Sequence, residues 1–142
     1  IIPDCIRAAY KSQEIIVRNP YSIRPYQHVL EPLYVYLMIA KAQCENIEFA
    51  GYYNVGPDEC DCITTGDLVG NGQAWKNVCN QGPHEAQFLK LDCSKLKNTF
   101  GWGPRWQITE AVVKTVEWAK VYEQNDSIVD CMEKQIRLFM LG

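Results

Sequence analysis

The stretch SIRPYQHVLEP (residues 22–32) is predicted to carry an extended segment into the first turn of a helix. Pro25 favours an extended backbone at Arg24, because the proline ring crowds the residue before it. Residues two apart on an extended chain point to the same side. Arg24, Tyr26 and His28 are therefore predicted to form one edge that combines a cation, an aromatic ring and an imidazole. We expect such an edge to bind an anion.

Short helices and strands alternate along the rest of the chain. The predicted helices cover residues 3–12, 32–42, 65–70, 94–100, 109–122 and a last segment that begins after Ser127. The predicted strands cover residues 14–19, 50–56, 74–79 and 87–92. This irregular order predicts a small mixed α/β fold rather than a complete doubly wound sheet. The 142 residues correspond to one domain, which we place at residues 1–142.

Apolar residues at helical spacing predict which faces are buried. In the helix over residues 32–42, where Pro32 suits the first turn, the predicted buried stripe is Leu33, Tyr36, Leu37 and Ala40. In the last helix the predicted apolar face is Ile128, Met132, Ile136 and Phe139. The strand over residues 14–19 is predicted to be buried, and Trp102 and Trp106 are assigned to the core.

The composition excludes several classes of function. The formal net charge is −3, so the chain has no basic field for nucleic acid or for an anionic membrane. No apolar run reaches about 18 residues, so no membrane span is predicted. Because the sequence starts at Ile1 without a methionine or a signal-like segment, we expect it to be a piece of a longer chain.

Seven cysteines stand at residues 5, 44, 60, 62, 79, 93 and 131. Their number is odd and their spacing is irregular, which favours reduced structural thiols and hence a cytoplasmic protein. Only Cys60 and Cys62 are spaced like metal ligands. A zinc site needs about four ligands, usually in two such pairs, and no second pair is present. We therefore expect no metal.

Catalytic motifs are absent from the sequence. It contains no G-x-G-x-x-G dinucleotide fingerprint, no Walker A motif, no H-E-x-x-H and no G-x-S-x-G. No tyrosine is followed by a lysine four residues later, so the Tyr/Lys acid–base pair of short-chain dehydrogenases is missing. The residues alone predict a binding domain with an anion-directed edge.

Four stretches resemble the C-terminal half of the extended short-chain dehydrogenases/reductases. They are RNPYSIRPYQHVLEPLYVYL (18–37), FAGYYNVGP (49–57), PHEAQFLKLDCSKLK (83–97) and GWGPRWQITEAVVKTVEW (101–118). The last of them is typical of NAD-dependent nucleotide-sugar epimerases and dehydratases in general. The first and third are most similar to the CDP-glucose 4,6-dehydratase family within that superfamily.

This resemblance implies a substrate-binding lobe whose N-terminal Rossmann domain is absent. In the family, the missing domain binds NAD and carries the catalytic residues, so no catalytic residue and no cofactor are expected in this chain. The whole enzyme would convert CDP-glucose to CDP-4-keto-6-deoxyglucose and water, a step towards the deoxysugars of polysaccharides. Its partners would be CDP-glucose, its own Rossmann domain and further copies in a homodimer or larger assembly.

The resemblance also implies that Arg24 binds the nucleotide diphosphate. The planar guanidinium suits this role because it binds phosphate oxygens in pairs and keeps its charge. The alternative is an ion pair with a nearby carboxylate such as Glu31.

Five weaker candidates for substrate binding are Arg18, Asn19, His84, Glu85 and His28. Arg18 and Asn19 would end the strand that flanks the base. His84 and Glu85 would contact ribose or cytosine, and relatives often carry arginines in this loop instead. The alternatives are a solvated strand end, a solvated turn and, for His28, a structural role such as capping the helix.

Two other functions stay open at this point. The chain could be the equivalent lobe of another nucleotide-sugar epimerase, dehydratase or reductase, or a free-standing nucleotide-sugar binding module.

Overall fold

Helices and short strands alternate in the computed structural model, which describes residues 1–70, 75–77 and 86–142. The helices are α1 (Ile2–Tyr10), α2 (Leu30–Glu45), α3 (Thr65–Gly70), α4 (Ser94–Phe100), α5 (Ile108–Glu123) and α6 (Ile128–Leu141). The strands are β1 (Ile15–Val17), β2 (Ile23–Pro25), β3 (Cys62–Thr64) and β4 (Trp75–Asn77). Short 3-10 helices cover Ile47–Phe49 and Glu59–Asp61. The predicted mixed α/β class is confirmed.

The chain divides into two compact units. The first consists of Ile1–Pro25 and Cys62–Lys90, and the second of Tyr26–Asp61 and Leu91–Gly142. The prediction that residues 1–142 form one domain stays a prediction. Among the described residues, no helix is long and apolar enough to cross a membrane.

Two pairs of strands form the sheets of the first unit. β1 pairs in parallel with β4, and β2 pairs antiparallel with β3. The predicted burial of the strand over residues 14–19 is wrong for one face, since Ile15 and Val17 are buried while Ile16 is 60% exposed. The alternation is that of a strand covered on one side only.

The second unit is built around a small apolar core. Val35, Leu96 and Trp102 are buried together. Half-buried neighbours pack against them, namely Tyr34, Met38, Ile39, Tyr53, Val55 and Phe100. α5 packs against α6 in the same unit. Trp102 and Trp106 are both buried, which confirms their predicted place in the core.

The predicted buried stripe of α2 is wrong. Leu33, Tyr36 and Leu37 are 47%, 60% and 74% exposed, and Ala40 is exposed as well. The buried positions of this helix are Glu31 and Val35. α2 is apolar around most of its circumference, so the helical period alone does not select the face that packs.

The predicted apolar face of α6 is partly wrong. Phe139 is buried, but Met132 and Ile136 are 48% and 44% exposed. The buried stripe is instead Cys131, Gln135 and Phe139. Gln135 is accommodated there because its Nε2 donates a hydrogen bond to the backbone carbonyl of Lys114 at 2.9 Å.

Two predicted strands do not form as such among the described residues. Residues 50–56 make no strand, and in residues 87–92 only Phe88 makes a bridge, to Ile23. The predicted strand over residues 74–79 is confirmed at Trp75–Asn77, and the rest of it lies outside the described residues.

The predicted helix ends agree with the structure better than the predicted buried faces do. Gly101 ends α4 in the left-handed conformation with a φ of 61°, as its sequence position predicts. The Ser127 side chain accepts from the Asp130 amide at the start of α6. At the start of α3, the Thr64 hydroxyl accepts from the Asp67 amide at 3.0 Å. Capping by Thr65 stays a prediction.

The cysteines occupy different environments. Cys93 and Cys131 are buried, as expected of structural thiols, whereas Cys44 is exposed. Cys79 lies outside the described residues.

Candidate functional site

Arg24 lies at the centre of β2, where it faces Ile63 of β3 in an antiparallel register. Its side chain is half-buried. Nη1 donates hydrogen bonds to the backbone carbonyls of Ile23 at 3.0 Å and Ala86 at 2.7 Å. These bonds direct the guanidinium towards Ala86, which follows the candidate residue Glu85 in the sequence.

A tight turn precedes β2 and sets its starting point. The Ser22 amide donates to the carbonyl of Asn19 at 3.3 Å, which closes the turn. The first amides of α3 then hold the turn, since Thr65 donates to Ser22 at 3.0 Å and Gly66 donates to Pro20 at 2.7 Å. Arg18 and Asn19, both exposed, therefore lead into a fixed turn.

The first unit thus contains three of the predicted substrate-binding residues, Arg18, Asn19 and Arg24. Arg18 directly follows β1, as predicted, and Arg24 lies on β2. His84 and Glu85 lie outside the described residues. The roles of all five stay predictions.

His28 belongs to the second unit and is buried, with 8% of its surface exposed. Its Nδ1 accepts a hydrogen bond from the Leu30 amide at 3.2 Å, which confirms the capping contact considered for it. Its ring also packs edge-on against Trp106, with 4.9 Å between the centroids. Burial lowers the pKa of His28, and the charge of Lys114 lowers it further, so the neutral imidazole is favoured. Substrate contact by His28 stays a prediction.

Glu31 is a buried carboxylate whose environment the sequence analysis did not anticipate. It is fully buried, and its Oε1 accepts hydrogen bonds of 2.8 Å from the amides of Arg105 and Trp106. Burial raises the pKa of Glu31, and the two amides partly oppose this. A signal was available in the sequence, because one acid inside the apolar run VLEPLYV requires a buried partner.

Arg105 fixes the same region through its side chain. Its guanidinium lies 4.5 Å from the ring centroid of Tyr34, and Nη1 donates to the carbonyl of Phe139 at 2.8 Å. Together, Glu31 and Arg105 attach the segment before α5 to α2 and α6. This arrangement is structural, and it positions the first turn of α2.

The described residues include no group of three or more His, Cys, Asp or Glu side chains placed to hold a metal ion. Cys62 is half-buried and Cys60 is exposed.

The chain is similar to a known enzyme over nearly its whole length. It is 38% identical to the CDP-glucose 4,6-dehydratase of Salmonella typhimurium over an alignment of 148 positions, gaps included, which covers 99% of this chain. The chain spans only 41% of that relative's length, and it corresponds to the relative's C-terminal part. No family model matches the chain. The resemblance inferred from the four sequence stretches is confirmed.

Proposed function

We propose that this chain is the substrate-binding lobe of an NAD-dependent CDP-glucose 4,6-dehydratase. The observation that carries the proposal is the 38% identity that extends over 99% of the chain. An alignment that covers nearly the whole of this chain supports a shared role for the whole lobe rather than for one motif.

In this proposal Arg24 holds the diphosphate of CDP-glucose. It lies on a paired strand, and its guanidinium is directed by the carbonyls of Ile23 and Ala86. A guanidinium held in this way presents fixed charge and fixed geometry, which supports phosphate binding. Arg18 and Asn19 would flank the base, and Glu85 would accept a hydrogen bond from the N4 amine of cytosine.

The chemistry would belong to the part of the protein outside this chain. That part would bind NAD, which would supply hydride transfer from C4 and to C6 of the sugar, and it would carry the residues that eliminate water between C5 and C6. The lobe described here would orient the substrate. We place the whole enzyme in the cytoplasm as a homodimer or larger assembly, and we expect the 142-residue chain alone to bind no NAD and to show no turnover.

The test is calorimetry and turnover with the full-length protein. We expect CDP to bind more tightly than UDP or dTDP, and CDP-glucose with NAD to yield a 4-keto-6-deoxy sugar. Tighter binding of UDP or dTDP would instead indicate another nucleotide-sugar enzyme. A full-length protein without an NAD site would indicate a binding module.

A further inference from the structure

One flank of α6 carries an exposed apolar stripe, which consists of Val129, Met132, Ile136 and Met140. These side chains are 65%, 48%, 44% and 55% exposed. At 3.6 residues per turn they fall within an arc of about 80° on the helix surface. The stripe lies beside the buried row that ends at Phe139, so this chain covers only part of the apolar surface of α6.

One acidic and one basic side chain border the stripe. Glu133 and Arg137 follow it around the helix, on the side away from the buried row. They form an ion pair of 3.3 Å, and their side chains are 59% and 79% exposed. An exposed apolar surface with a polar border is typical of a protein interaction site.

The stripe and its charged border share one centre along the helix. The outer pair and the inner pair of the stripe both have their midpoint within one residue of position 134, and the two charged residues have theirs at position 135. Two copies of α6 that pack antiparallel about this centre place apolar side chains against apolar side chains. They also place Glu133 of each copy against Arg137 of the other. A surface that is complementary to itself in this way fits a second copy of the chain, whereas an unrelated surface requires no common centre.

We infer that the α6 stripe is a symmetric contact between two copies of the protein, in which their α6 helices pack antiparallel. The inference goes beyond the proposed function, because it assigns one surface to the homodimer or larger assembly expected there. The contact removes the stripe of both copies from water, which supplies the driving force. The ion pairs of the two helices become one cluster of four charges with alternating sign, and this cluster fixes how the helices align.

The test is the mass of the full-length protein in solution, measured by light scattering. Ile136 in the stripe and Leu138 outside it are almost equally exposed on the same helix, at 44% and 43%. We expect Ile136→Lys to reduce the mass of the assembly by about half, because a symmetric contact joins copies in pairs. Leu138→Lys should leave the mass unchanged. The same mass for both variants would overturn the inference, and a lower Tm of Ile136→Lys at unchanged mass would show that another part of the same chain covers the stripe.

Charge reversal tests the same contact without changing the apolar side chains, and it decides alone if Ile136→Lys does not fold. Glu133→Arg leaves only positive charges beside the stripe, and Arg137→Glu leaves only negative ones. Each variant alone should associate about tenfold or more weakly in sedimentation experiments, because like charges then face each other across the contact. An equimolar mixture of the two variants should regain the association of the unsubstituted protein, and a mixture that does not would overturn the inference. No readout uses nucleotide, so a failed CDP assay would contradict the proposed function and leave this result interpretable.

Discussion

Glu31 accepts a hydrogen bond from the backbone amide of Trp106 at 2.8 Å, although the two residues are 75 positions apart in sequence. The same oxygen, Oε1, also accepts from the Arg105 amide at 2.8 Å. No partner of the second oxygen, Oε2, is found among the described residues. One fully buried carboxylate thus satisfies two backbone amides, and it fixes the segment before α5 to the start of α2.

Removing this acceptor should destabilise the protein strongly. Glu31→Ala leaves both amides unsatisfied and opens a cavity, and we expect it to lower the free energy of unfolding by about 2–5 kcal/mol. Glu31→Gln keeps an oxygen for the amides and should cost less than half as much. Denaturant titration of both variants measures the difference. Equal losses would mean that neither the retained oxygen nor the retained side-chain volume stabilises the protein, which would contradict this prediction.

The burial of Glu31 also predicts that the stability of the protein depends on pH. Burial raises the pKa of Glu31 above its usual 4.5, so the folded protein keeps this proton at pH values where the unfolded chain has lost it. The stability gained from protonation is complete below pH 4.5 and is lost as pH rises through the folded pKa. Glu31→Gln cannot titrate, so its stability relative to the unsubstituted protein should improve as pH rises from 4.5 to 7. A constant difference would contradict this.

Two glycines near the end of α4 make a controlled comparison. A Cβ at Gly101 or at Gly103 would meet no atom within 4 Å, but only Gly101 has a φ in the left-handed region, at 61°. Gly101→Ala should therefore cost about 1 kcal/mol of unfolding free energy through backbone strain. Gly103→Ala should be nearly neutral. Thermal unfolding of both variants gives the comparison, and the prediction fails if the two cost the same.

His28 should make the protein less stable as pH falls. Its pKa is lowered from 6.5, mainly by burial, so the unfolded chain binds this proton more readily than the folded protein does. Stability is therefore complete above pH 6.5 and is lost as pH falls through the folded pKa. Protonation of Nδ1 also removes the acceptor that the Leu30 amide needs.

The matched variant for this test is His28→Asn. Asparagine keeps an oxygen that accepts from an amide at a helix start but does not titrate. We expect the stability advantage of the unsubstituted protein over this variant to shrink between pH 7 and pH 5. His84 is present in both proteins and does not affect the difference. Parallel stability curves over this range would show that His28 titrates normally.

The local signals in the sequence were sufficient for most helices and their ends. Gly101 and Ser127 mark their helix ends because a φ of 61° suits glycine and a serine side chain can accept from an amide three residues on. α2 begins at Leu30 rather than at Pro32, because the Leu30 amide is satisfied by His28. That contact joins the first residue of the helix to a residue before it, and it is not encoded in the helix's own apolar pattern.

The faces of the helices could not be predicted as well. α2 is apolar nearly all round, so the choice of Val35 over Leu37 as the buried position depends on what packs against it. Gln135 was missed in α6 because its burial depends on the carbonyl of Lys114, which lies on another helix. The strand over residues 50–56 was predicted from composition, and composition does not supply a pairing partner.

The candidate site was predictable only in part. Arg24 was singled out by its position in IRPYQH, but its contact with Ala86 joins residues 62 apart and has no signature in the sequence. The contact gives Arg24 a structural role in fixing the backbone at Ala86, beside its proposed role in binding phosphate. A variant of Arg24 must therefore be tested against a ligand that lacks phosphate.

Arg24→Ala should weaken CDP binding to the full-length protein and leave cytidine binding nearly unchanged. A charge-assisted hydrogen bond contributes roughly 1.5–3 kcal/mol, which corresponds to about a ten- to hundred-fold loss of affinity. Arg24→Lys should recover only part of this loss, because an ammonium keeps the charge but not the paired geometry. Arg137 on α6 has 79% of its side chain exposed and serves as the control, since Arg137→Ala removes the same charge. Calorimetry with CDP and cytidine separates the two roles: equal losses for both ligands would mean that Arg24 only fixes the backbone at Ala86 and does not anchor the diphosphate.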